Sequence, residues 1–121
     1  MRRYLLCLMF LWFLMSSSQA GETVVMRFSA AWCPGCQSQS AHLRTAAAQA
    51  VIRQHGIAIW AYDADNATDD SAFTKYGVTK IPRMFLVDYD ATTGKAVLLW
   101  QTKAAGEVLT GQELLRWLTP P

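Results

Sequence analysis

Cys33 and Cys36 stand two residues apart in the run Trp32-Cys33-Pro34-Gly35-Cys36, where an apolar stretch ends and a helix-forming one begins. Thiols at that spacing share the first turn of one helix and lie close enough to close a disulfide. The unpaired N–H groups of that turn, and the positive end of the helix dipole, favour thiolate over thiol. The pair therefore has the make-up of a redox-active dithiol, with a metal clip as the other chemistry it offers. The third cysteine, Cys7, lies within the first twenty residues. Disulfides used as scaffolding in a small exported domain normally need four or more cysteines at wider spacings. A bridge across so short a segment constrains the unfolded chain little, so its expected use is chemistry.

The elements around the pair must place it at a sheet end. Thr23 to Ser29 is a short run rich in β-branched residues and leads directly into the cysteines. Pro34 suits the first position of a helix, where its missing N–H costs nothing. The alanine-rich stretch from Cys36 to Gln54 predicts one helix, stopped by Gly56. Ile57 to Tyr62 predicts a second strand. Thr68 or Asp69 would cap a short helix running through Tyr76 to Gly77. Arg83 to Asp88 and Ala96 to Gln101 predict a hairpin turning at 90–94. Thr110-Gly111-Gln112-Glu113 has the spacing of a capping box, opening a last helix that carries Leu114, Leu115, Trp117 and Leu118. This order implies a small mixed sheet covered by helices, its first two strands parallel and its last two antiparallel. The cysteines then fall at the carboxyl end of a strand, where open α/β sheets place their chemistry.

Length and composition frame the same reading. The 121 residues suffice for one small domain, and the 52% apolar content is raised by the N-terminus. Arg2 and Arg3 precede an apolar block from Tyr4 to Met15, and Ser18 and Ala20 stand where a signal peptidase reads small residues. Residues 1–20 are thus expected to be a signal peptide cleaved before Gly21, leaving a domain over 21–121 in the periplasm or secreted. The block falls short of the ~20 residues a spanning helix needs. Without that segment the domain carries nine basic and nine acidic residues. It shows no basic stripe, and no nucleic-acid partner is expected.

From here the chain resembles the thioredoxin family, over residues 23–118. The likeness rests on VVMRFSAAWCPGC with tryptophan before the first cysteine, on Lys75-Tyr76-Gly77-Val78 followed by Thr79-Lys80-Ile81-Pro82 and the strand MFLVD, and on the closing hairpin and helix. The resemblance implies a minimal thioredoxin fold in the α/β class, with a four-stranded mixed sheet flanked by helices. A domain starting at Gly21 would lack the family's first strand and helix. It implies that Cys33 is the attacking thiolate and Cys36 the resolving thiol. Pro82 would be the cis-proline lying against the dithiol, with Ile81 orienting a substrate segment beside it. Pro34 and Gly35 would tune the turn, and Trp32 would flank the sulfurs. Arg27 stands where thioredoxins carry a buried acid. A cation there favours thiolate if its head lies near the sulfurs; the alternative is that it snorkels outward or pairs with an acid.

Other constellations are weaker. His42 lies six residues after Cys36, off the helical spacing that would return it to the sulfurs, and His42 and His55 read as solvated helix residues. Asp63, Asp65, Asp69 and Asp70 lack the glycine and terminal glutamate of a calcium loop, so no metal is expected. Trp60, Trp100 and Trp117 read as packing residues. The function these observations imply is thiol–disulfide exchange with protein substrates, needing no cofactor beyond the Cys33–Cys36 disulfide. Ile81 before Pro82 points to a reductase or isomerase, and Pro34 with the missing acid points to an oxidant; the balance falls on the reducing side. Reduction calls for a membrane electron donor, oxidation for a reoxidase. The competing reading is a thiol metal carrier or a client-binding folding helper. The strand at 57–62 is expected to be a bare edge, open to pairing with a partner or a second copy.

Overall fold

The computed structural model describes residues 21–104 and 106–121. The expected signal peptide, with Cys7, lies outside the described residues. Strand β1 (Glu22–Ser29) runs into the cysteines, which open helix α1 (Pro34–Leu43). Helix α2 (Ala46–Gln54) and strand β2 (Ala58–Asp63) follow, then a 3-10 turn (Ala67–Asp69) and helix α3 (Asp70–Lys75). Strands β3 (Arg83–Asp90) and β4 (Lys95–Gln101) form the hairpin, and helix α4 (Gly111–Trp117) closes the chain.

The described strands form one mixed sheet in the order β2-β1-β3-β4. β1 runs parallel to β2, with Val25 opposite Ile59, and antiparallel to β3, with Val25 opposite Leu86. β3 and β4 are antiparallel, with a register shift between Leu86 and Val87. This is the expected α/β arrangement of a minimal thioredoxin fold, and β2 is an edge of the described sheet. Alternation along β1 and β3 divides the core. Val25, Met84 and Leu86 pack with Leu43, Ala48, Ile52, Leu114 and Leu118 from the helices on one face. Val24, Met26, Phe28, Phe85 and Val87 form the core of the other, against Phe73 and Tyr76.

Two local expectations are corrected. The alanine-rich stretch is two helices rather than one. The backbone N–H of Arg44 ends α1 on the carbonyls of Ser40 and Ala41, and the Thr45 hydroxyl starts α2 by accepting from Ala48 N at 3.3 Å. A threonine in extended conformation, offering its own cap, outweighs the helix propensity of the alanines beside it. The capping box at 110–113 is the second. Thr110 holds the N-cap position without a side-chain hydrogen bond, because Gly111 enters the helix at φ +53° and turns the first residues away from regular cap geometry. Asp69 holds the N-cap position of α3, one of the two residues expected there, without a side-chain hydrogen bond. Asn66 caps the 3-10 turn that precedes it, accepting from Thr68 N at 3.1 Å. Gly56 and Gly77 end α2 and α3 at φ +61° and +64°, values that favour glycine.

Candidate active site

β1 and α1 set the dithiol between them. Cys33 is the N-cap residue of α1, in extended conformation, and Pro34 occupies the first helical position. Cys33 and Cys36 are joined as a disulfide with their Cα atoms 5.2 Å apart. The Cys33 Sγ accepts a hydrogen bond from Cys36 N at 3.1 Å and lies 3.9 Å from the Ile81 carbonyl oxygen. An N–H aimed at that sulfur stabilises a thiolate there once the bridge is reduced. Both cysteines are buried, Cys33 at 5% exposure and Cys36 at 1%, so the first sulfur is the easier to reach.

The loop before β3 supplies the second wall. The Ile81–Pro82 bond is cis, and Ile81 packs against Ala30, Cys33 and Cys36. A Cβ at Gly35 would meet Pro82 Cδ at 3.1 Å and Val108 Cγ2 at 3.5 Å. Gly35 therefore lets the helix pass close to the proline loop, and a larger residue would press on Pro82. Trp32 projects beside this pair at 65% exposure. Of the residues expected at the site, Trp32, Cys33, Pro34, Gly35, Cys36, Ile81 and Pro82 converge on one end of the sheet.

Arg27 lies behind them, on the same face of β1 as Val25. Its Nη2 donates to the Cys36 carbonyl oxygen at 2.9 Å, and its Nε is buried with no acceptor among the described residues. Burial first, and the nearby Arg44 charge second, pull its guanidinium below the ordinary arginine pKa. No carboxylate of the described residues lines its cavity. It neither snorkels away nor pairs with an acid.

Gln39 is the residue that reading the sequence missed. It is fully buried in α1 and clamps the Leu109 backbone from both sides, donating to Leu109 O at 3.1 Å and accepting from Leu109 N at 2.8 Å. The clamp pins the segment that carries Val108 against Gly35. In a helix rich in Gln and Ser, only its place four residues before Leu43 on the buried side hinted at this.

The other candidates lie elsewhere. His42 is on α1 and His55 caps α2, and no group of three metal-binding side chains gathers among the described residues. Asp63 and Asp69 are engaged in turns, accepting from Asp65 N and Asp63 N, each at 2.9 Å. The tryptophans pack: Trp60 against Tyr89, and Trp100 through a hydrogen bond to Trp117 O at 2.8 Å.

Comparison with known proteins agrees with this geometry. The thioredoxin family model matches residues 13–104. Among solved structures, a thioredoxin from Thermus thermophilus superposes with a TM-score of 0.65 at 16% identity, covering 80% of this chain and 71% of that one. Trichomonas vaginalis thioredoxin gives 0.54 at 26% identity, covering 73% and 70%. A disulphide isomerase from Xylella fastidiosa Temecula1 gives 0.55 at 20%, covering 80% and 76%. No curated protein matches the chain significantly.

Proposed function

The chain belongs to the thioredoxin family and is a thiol–disulfide oxidoreductase, and we propose that it reduces or isomerises disulfides of protein substrates outside the cytoplasm. The observation that carries this is the Cys33 sulfur, held at a helix start, accepting from Cys36 N and facing the Ile81 carbonyl. In the reducing direction the Cys33 thiolate attacks one sulfur of a substrate disulfide. A Cys33–substrate disulfide forms, and the other substrate sulfur leaves as a thiolate that takes up a proton. The Cys36 thiolate then attacks the Cys33 sulfur, the second substrate thiol departs, and the Cys33–Cys36 bridge closes. Two electrons pass from the dithiol to the substrate, and no further cofactor enters. Re-reduction falls to a membrane electron donor; a protein running the other way would need a reoxidase.

Trp32, Ile81 and Pro82 frame the approach to Cys33, while Pro34 and Gly35 shape the turn between the sulfurs. Arg27 biases the pair toward thiolate from behind Cys36. Export would follow from cleavage of residues 1–20 before Gly21, leaving 21–121 as the working domain. The β2 edge offers its outer N–H and C=O groups to a partner or a second copy.

The test is a Cys36→Ser variant exposed to the proteins of the compartment. Cys33 is expected to hold covalent mixed disulfides that disappear when Cys33 is also replaced. Equilibration with glutathione buffers then fixes the direction, since family potentials run from about −270 mV for reductants to about −120 mV for oxidants. A value at the oxidising end overturns the reductase reading. A pair that does not cycle at all overturns exchange itself and leaves metal carriage or client binding.

A further inference from the structure

We infer that Arg27 and Arg44 form a binding site for a small oxyanion, a carboxylate or phosphate group, behind the buried cysteine. A cavity of about 250 Å³ opens there between β1 and α1, lined by Arg27, Ser29, Cys36, Gln37, Ser40 and Arg44 among others. Strand and helix periods both bring these residues together. Arg27 and Ser29 alternate on one face of β1, and Cys36, Ser40 and Arg44 recur every four residues along α1 and its cap. The wall offers two guanidinium groups and two hydroxyls and contains no carboxylate. Its volume is several times the roughly 30 Å³ share of one water, enough for a small anion with part of its hydration.

The charge arrangement calls for such an occupant. Arg27 is half-buried, spends one N–H on a neutral carbonyl, leaves its Nε without an acceptor, and faces a second cation. A partly desolvated charge is normally paired. Residues 1–20 contain neither Asp nor Glu, and all nine acidic side chains fall among the described residues, none of them on this cavity. No acidic side chain of the described residues supplies the counter-ion, so an anion from elsewhere fits the cavity. A planar, forked guanidinium suits a carboxylate or phosphate oxygen pair. Two sources share that chemistry: a free anion, or an acidic side chain of a bound protein.

The test titrates the oxidised protein with inorganic phosphate against chloride at matched ionic strength, following the midpoint of thermal unfolding. Phosphate is expected to raise it saturably. Arg44→Gln, an exposed change at the end of α1, is expected to weaken the apparent phosphate affinity about tenfold or more, the scale of one lost charge-assisted hydrogen bond. Arg53→Gln, exposed on α2, should leave it unchanged. Equal phosphate responses in wild type and Arg44→Gln, or no phosphate response, overturn the site. This readout needs no redox turnover, so it stands or falls apart from the exchange reaction. A second arm compares reduction of two peptide disulfides differing only in a Glu or Gln beside the cysteine. A preference for Glu of about fivefold, lost in Arg44→Gln, assigns the anion to the substrate. Phosphate binding without that preference assigns it to a free ion.

Discussion

On one face of the sheet Val25, Met84 and Leu86 meet aliphatic side chains from α1, α2 and the α4 region, whereas on the other Phe28 sits among four aromatic rings. Tyr62 stacks on Phe28 at 4.8 Å, Phe73 and Phe85 meet it edge-on at 4.9 and 5.6 Å, and Tyr76 lies at 6.0 Å. The aliphatic face spreads its burial over ten residues from several elements. On the aromatic face four rings meet at Phe28 with Trp60 and Tyr89 paired beside them, and the helix covering it is only six residues long. Arg27 and Gln39 belong to the aliphatic side, through the alternation of β1 and the bonds to Leu109. The dithiol forms a third cluster with Ala30 at the sheet end, and Ile81 joins it to the aromatic face. Support for the chemistry is therefore shared, aliphatic from behind and linked to the aromatic rings through the proline loop.

The comparison is broken most sharply by Phe28→Ala, which removes the hub. It is expected to cost about 3–5 kcal/mol in denaturant unfolding, because four rings lose one partner together. Leu114→Ala on the aliphatic face is expected to cost less, about 2–3 kcal/mol, since its neighbours can share the collapse. A larger loss at Leu114 than at Phe28 would refute the contrast. The smallest effect is in alkali. Burial first, then Tyr76 and Asp69, raise the Tyr62 pKa above its ordinary value of 10.0. The folded protein thus disfavours phenolate there. The stability Tyr62 contributes is complete below pH 10 and falls as pH climbs through the raised folded value. Tyr62→Phe keeps the ring stack and should flatten that alkaline decline, measured as unfolding midpoints against pH.

What the sequence made legible was local. The strand into Cys33, the helix start at Pro34, the stops at Gly56 and Gly77 and the hairpin at 90–94 each carry their signal within a few residues. The cis bond before Pro82 was implied by the thioredoxin resemblance, not by spacing. The break at Arg44–Thr45 was hidden because alanines flank it and only the Thr45 hydroxyl marks it. Arg27 could be placed on the helix side of β1 by alternation, but its bond to the Cys36 carbonyl depends on where α1 packs. Gln39 was illegible for the same reason. Its partner, Leu109, is seventy residues away, and a buried amide looks like a solvated one until both elements are in place.

Gly35 bears on how this protein can change over generations. Between the two cysteines, Pro34 is exposed, whereas a Cβ at position 35 would press on Pro82 and meet Val108. Change between the cysteines is thus met by more resistance at position 35 than at position 34. A library randomised at both positions should return more variety at residue 34 than at residue 35. A lineage that abandoned Gly35 would carry compensating changes at Val108 or in the proline loop.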